Sequence, residues 1–220
     1  MSSKKHMLQA AAGAAGGDRP NAVINGEGLV YDVTDPENIV ALNSVTFGTA
    51  TSNDILAYHD NYLYASESGT SYLAVYDATD PDNITNINAT VPQLTNSSGY
   101  GKAIDPNENV LYAGRSGNYG SVVAFDISDP TNITTLDELT LSGLSGASAY
   151  GVGLDAANNR VAVINNYGQF SIINCSDPSN LSQVSGATLS GDARSIQCLS
   201  SAQRVYLGSS YDYFYSIDYS

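Results

Sequence analysis

The sequence predicts an all-β protein, a small β-propeller of four blades, or alternatively five, built from four-stranded repeats. Three observations carry this. First, Asp35-Pro36-Glu37-Asn38-Ile39 recurs as Asp80-Pro81-Asp82-Asn83-Ile84, Asp129-Pro130-Thr131-Asn132-Ile133 and Asp177-Pro178-Ser179-Asn180-Leu181, with prolines 45, 49 and 48 residues apart. Second, each copy follows a short apolar run ending in Asp or Asn. Third, 16 Tyr, 20 Gly, no Trp and only 14% charged residues form a composition that favours strands and turns over helices. Four short strands per unit of this length is the period of a propeller blade.

The repeats place the strands in order. The run that precedes each turn is Leu29–Thr34, Ala74–Thr79, Val123–Ser128 and Ser171–Ser176, and a fifth copy, Ser216–Ser220, stands at the end of the sequence given. Upstream lie Tyr62–Ala65, Val110–Ala113, Val161–Ile164 and Val205–Gly208, and before those Ile55–Ala57, Gly101–Ile104, Gly151–Leu154 and Ser195–Cys198. Downstream of each turn a fourth strand is expected over Ile39–Phe47, Ile84–Val91, Ile133–Leu141 and Leu181–Leu189. The motif is turn chemistry: Ser, Thr and Asp bond nearby backbone N–H groups, Pro presets φ for the first corner, and Asn tolerates the left-handed conformation. About two carboxylates and a proline per turn do not resemble a calcium loop, which spaces several ligands around a required Gly.

The apolar strand, its Asp and the Ser/Thr-Asp-Pro turn with Asn, as in Leu29 to Asn38, resemble the LVIVD-repeat family over residues 21 to 220. Asn174 and Cys175 depart from its pattern. The resemblance implies a propeller of the kind found on surface or secreted proteins, and no particular activity. Blade number stays open. Closing four blades would pair C-terminal strands with the N-terminal hairpin Leu29–Phe47 and remove exposed edges. Five would leave the first without an inner strand and the last without an outer one. Four is the favoured count.

Residues 1 to 20 form a separate segment, an Ala/Gly-rich arm with no apolar core of a secretion signal. Its Leu8-Gln9 followed by alanines and glycines resembles the leaders of structural proteins of marine tailed bacteriophages. That resemblance implies an anchoring arm, with Lys4, Lys5, Leu8 and Gln9 as its contact residues.

Beyond residue 20 only five basic residues oppose 21 carboxylates. A body so acidic repels phosphate backbones, which argues against nucleic-acid partners. No run of about 18 apolar residues is present to cross a membrane. Cys175 and Cys198 occupy places that are aliphatic in the sister repeats, so buried thiols are expected, with a disulfide as the alternative.

No clustered acid, base or nucleophile set is visible, so an enzyme is not expected, and neither are a cofactor or a catalytic metal. His59, the one histidine after the arm, reads as a strand-end hydrogen-bonding residue. The expected role is a virion structural or decoration protein on capsid or tail, docked by its arm to other structural proteins. The alternative is a cell-surface or extracellular LVIVD-repeat protein that binds a glycan, a host receptor or another protein. Candidate ligand-face aromatics are Tyr100, Tyr119, Tyr150, Tyr167, Tyr211 and Tyr213, since tyrosine combines contact area with a polar tip.

Overall fold

In the computed structural model the chain is described at residues 22–24, 29–32, 37–38, 40–44, 57–67, 72–80, 83–92, 101–115, 119–145, 149–165, 167–189, 193–209 and 214–220. The arm residues Lys4, Lys5, Leu8 and Gln9, and the aromatics Tyr100, Tyr211 and Tyr213, lie outside these residues.

Eighteen strands among the described residues form five antiparallel sheets. Sheet one holds β1 (Ala22–Ile24), β2 (Leu29–Asp32) and β3 (Val40–Ser44). Sheet two holds β4 (Ala57–His59), β5 (Tyr62–Glu67), β6 (Tyr72–Asp77) and β7 (Thr85–Asn86). Sheet three holds β8 (Lys102–Asp105), β9 (Val110–Arg115), β10 (Tyr119–Asp126) and β11 (Thr134–Ser145). Sheet four holds β12 (Ala149–Asp155), β13 (Arg160–Asn165), β14 (Gln169–Asn174) and β15 (Ser182–Thr188). Sheet five holds β16 (Ala193–Leu199), β17 (Arg204–Ser209) and β18 (Phe214–Asp218).

The grouping is the five-sheet alternative. Among the described residues β18 is bonded to β17, and β2 lies between β1 and β3. Both are third strands of their own sheets, so neither is free to take the other's place. The second strand of sheet one, Ala22–Ile24, was missed by the sequence reading, although Asn21-Ala22-Val23-Ile24-Asn25 echoes Arg160-Val161-Ala162-Val163-Ile164-Asn165. The fourth strand expected over Ile84–Val91 shortens to Thr85–Asn86, after which Asn88 takes φ 51° and Thr90 bridges to Asn132 of sheet three.

The turn chemistry is the expected one. Asn83, Asn132 and Asn180 N–H groups each donate to the Asp carbonyl three residues earlier, at 3.0 Å, closing the Asp-Pro turns. In sheets two, three and five the carboxylate that ends the third strand accepts from the N–H two residues on: Asp77 from Thr79 at 2.8 Å, Asp126 from Ser128 at 2.9 Å, Asp218 from Ser220 at 3.0 Å. Asn174, the departure from the repeat, offers its amide oxygen to Ser176 N–H in the same way, at 3.3 Å. A second stitch repeats. Asn61, Asn109, Asn159 and Gln203 adopt the left-handed conformation just before the second strand, and their carbonyls accept from the N–H of Ala78, Ile127, Cys175 and Tyr219.

Sheet packs on sheet, and the core lies between them. Tyr64, Leu73 and Val75 of sheet two meet Leu111, Ala113, Val123 and Phe125 of sheet three. Tyr112, Val122 and Ala124, on the opposite face of sheet three, meet Val161, Val163 and Ile173 of sheet four. Ala162, Ile164, Phe170 and Ile172 then meet Val205 and Leu207 of sheet five. Each buried aliphatic or aromatic side chain contributes about 1.5–3 kcal/mol.

The first strands converge on one edge. A Cβ at Gly101 would lie 2.5 Å from the Val152 backbone nitrogen, and one at Gly151 would lie 3.0 Å from Ile196 Cγ2. Only glycine lets these strands approach so closely.

Phe125 sits fully buried between sheets two and three. Phe125→Ala should lower the unfolding free energy by about 3–5 kcal/mol in urea titration, because the neighbouring sheets cannot collapse into the gap. Val184→Ala, at an exposed site, should change it by less than about 0.5 kcal/mol.

Candidate functional site

Two regions of the array present chemistry. One is the edge where the first strands converge. A cavity of about 420 Å³ opens there across β8, β12 and β16, lined by Lys102, Ile104, Val152, Leu154, Ile196 and Gln197 among others. Lys102 is 3% exposed, its long side chain lying within the wall. Aliphatic side chains line it together with Lys102, Gln197, Ser200 and backbone groups, and the surface it exposes is more polar than apolar.

Beside it the ends of sheets four and five are clamped. Asp155, fully buried, accepts from Asn158 Nδ2 at 2.7 Å and Asn158 N–H at 3.2 Å, and from the Tyr219 hydroxyl. Asn158 also donates to the Ser200 carbonyl at 3.1 Å and accepts from Gln203 Nε2 at 3.1 Å. Burial alone would raise the Asp155 carboxyl, but the bonds from Ser200, Tyr219 and Asn158 outweigh it and hold it below the usual carboxylate range. The Tyr219 phenol is pushed up by its burial and by that carboxylate. These bonds tie neighbouring sheets together.

His59 has the same kind of place. Its Nε2 lies 2.8 Å from Asn109 Oδ1 in the next sheet and 3.5 Å from Asp60. The reading of a strand-end hydrogen-bonding residue holds. Among the described residues no group of three His, Cys, Asp or Glu side chains is placed to hold a metal ion. Two of the Asp-Pro carboxylates are engaged in their own turns: Asp129 accepts from Thr131 N–H at 2.9 Å and Thr131 Oγ1 at 2.7 Å, and Asp177 from Ser179 N–H at 3.0 Å. The Thr131 side chain and backbone lower the Asp129 carboxyl.

Both cysteines are free thiols, Cys175 buried and Cys198 partly so. Burial raises Cys175 to about 11 and Cys198 to about 12.

The second region is the opposite end of the sheets, where second strands turn into third strands. Tyr119 opens β10 and Tyr150 lies in the first turn of pairing of β12. Tyr167 occupies the tight turn between β13 and β14, whose geometry follows from Asn165: its Oδ1 accepts from the N–H of Tyr167 and of Gln169, each at 2.9 Å. Gly168 completes the turn at φ 72°. This bonding fixes the turn and leaves the Tyr167 ring 60% exposed. The three described tyrosines of the expected set therefore share one end of the array. The sequence reading did not single out Tyr206 and Phe214, whose rings stack 5.7 Å apart on sheet five.

No family model matches the chain, and no curated protein matches it in sequence. Solved structures do match in fold. A protein from Lactobacillus plantarum superimposes with a TM-score of 0.70 at 18% identity, over 87% of this chain and 58% of that one. The WD40 repeats of RRP9 superimpose with a TM-score of 0.59 at 15% identity, over 86% of this chain and 56% of that one, and U3-55K gives the same values. The chain thus has the β-propeller fold, and spans little more than half the length of these structures.

Two measurements test the site chemistry. At pH 8 a thiol reagent should label native Cys175 and Cys198 slowly, because little thiolate exists, and should count two thiols once the chain is unfolded. Tyr219→Phe should cost about 1.5–3 kcal/mol at pH 7, the worth of a hydrogen bond to a charged group. Asp155 is lowered on folding, so its contribution is present above its unfolded value and is lost as pH falls through the folded one. The Tyr219→Phe deficit, followed by urea titration, should therefore shrink as the pH is taken below 4.

Proposed function

We propose that this chain is a non-enzymatic binding propeller, in which a rigid stack of sheets presents aromatic side chains at one end to a protein or glycan partner. The observation that carries the reading is Tyr167: an aromatic ring 60% exposed on a turn whose backbone is fixed by two Asn165 bonds. A rigid exposed tyrosine contributes contact area at little entropic cost. Asp129, Asp155, Asp177, His59 and both thiols are engaged in structural bonds or burial, which supports a role without catalysis. WD40 repeats, which the fold resembles, belong to the propeller class that displays binding loops at the ends of a ring.

The finer reading is a virion decoration protein held to capsid or tail by its N-terminal arm, with host-surface attachment as the role of the displayed end. The resemblance of residues 8–17 to leaders of marine tailed-phage structural proteins supports it. The Ser/Thr-Asp-Pro repeats support the second reading, a cell-surface LVIVD-repeat protein.

Deleting residues 1–17 separates the two parts of the reading. The truncated protein should keep its strand-rich circular dichroism and melting temperature and lose co-purification with virus particles. Retained co-purification would remove the anchoring role, and unfolding would make the arm part of the fold. Tyr167→Ala should leave unfolding within about 0.5 kcal/mol of the parent and weaken attachment of the full-length protein to host cells.

A further inference from the structure

Phe214 is 71% exposed, while Leu73, Val122 and Phe170, which begin the corresponding stretch of the three preceding sheets, are 2%, 0% and 3% exposed. The correspondence is fixed by register: Phe170 pairs with Ile164 and Phe214 with Gly208, each four residues before the strand-end Asn174 or Asp218. In sheets two, three and four this face is covered by the next sheet. In sheet five one face, with Ile196, Cys198, Val205, Leu207 and Ile217, packs on sheet four. The other carries Leu199 and the Tyr206–Phe214 stack, with Leu199 and Phe214 exposed. Arg204 and Asp218 pair at its edge, 3.2 Å apart, so the face is close to electrically neutral in a strongly acidic chain.

The outer rim of sheet four is uncovered as well, where sheet five has no outer strand among the described residues. Ile87 and Leu136, third residues of the segments that open with Thr85 and Thr134, pack against the core formed with the following sheet. Val184, third from Ser182 in β15, is 55% exposed. The following sheet also bonds the earlier rims: Ile133 N–H donates to the Thr90 carbonyl at 2.9 Å, and Leu181 N–H to Asp137 Oδ2 at 2.7 Å.

We infer that the outward face of sheet five is a docking face for a sixth sheet of the same repeat, with aliphatic side chains at the places of Val205, Leu207 and Ile217. The three described interfaces between sheets set the chemistry of the occupant: an uncharged, aliphatic sheet surface. The large net negative charge opposes a second copy of the chain as the occupant.

The test compares the 220-residue chain with one extended after Ser220 by a second copy of residues 177–220, which supplies an outer strand for sheet five and three strands of a sixth sheet. Phe214→Asp is placed at the original position in both. In the 220-residue chain it should leave the melting temperature unchanged within error, and sedimentation should give a monomer with and without it. The extended chain should melt several degrees higher than the parent, and Phe214→Asp should remove that gain, whereas Phe214→Leu should keep it. An equal, small effect of Phe214→Asp in both chains would show sheet five to be a capped end and overturn the inference. So would an extended chain no more stable than the parent. A dimer of the 220-residue chain that Phe214→Asp dissociates would assign the face to a second copy instead.

Discussion

Everything in this array depends on an interior sheet being apolar on both of its faces. A strand alternates its side chains, so a sheet that faces water on one side reads as alternating apolar and polar residues. Here both registers of β9, β10, β13 and β14 are buried: Leu111 and Ala113 face one neighbour, Tyr112 the other. A single sheet of this kind has no means of hiding half of its apolar surface. It persists only when sandwiched, so each interface stabilises two sheets at once. That coupling is the general property of repeat architectures, in which neighbour contacts carry stability.

The polar parts serve the same packing. Strand-end Asp77, Asp126 and Asp218 bond backbone N–H groups two residues on, and the left-handed Asn61, Asn109 and Asn159 close the next turn against them. These bonds satisfy the backbone where pairing ends, as buried or half-buried chain ends require. They also account for the acidity of the molecule. Many of its carboxylates are turn components repeated once per sheet, so the negative charge follows from the architecture and implies nothing about a charged ligand.

The fold was legible because its punctuation is chemical. Asp-Pro-x-Asn at near-constant spacing fixes four turns, and the strand before each follows from its apolar run. Ala22–Ile24 escaped notice because its sheet has no first strand among the described residues and no Asp-Pro turn motif precedes it in the sequence. The blade count could not be settled from strand inventory, since a fifth third-strand is compatible with either closure until its hydrogen-bonding partner is known. The site was less legible. Exposure of Tyr167 follows from the short Asn165-to-Gln169 loop, which the sequence displays. Phe214 reads in sequence like Phe170, and only the presence or absence of a neighbouring sheet distinguishes a core residue from a surface one. The clamp of Asp155, Asn158 and Tyr219 joins residues up to 64 apart with no shared motif.

The glycines at the converging edge make sheets three and four thinner there than further out, where Phe125 and Ile173 fill the gap. Each of these two sheets is therefore a wedge, and its taper sets the angle through which the next one is turned. Side-chain volume along a strand thus determines how many units would complete a circle. Thickening the narrow end, by alanine or valine at Gly101 or Gly151, would open the curvature, while trimming the broad end would tighten it. In a molecule of this construction the diameter of the whole is written in the size of a few residues at the narrow end of each unit.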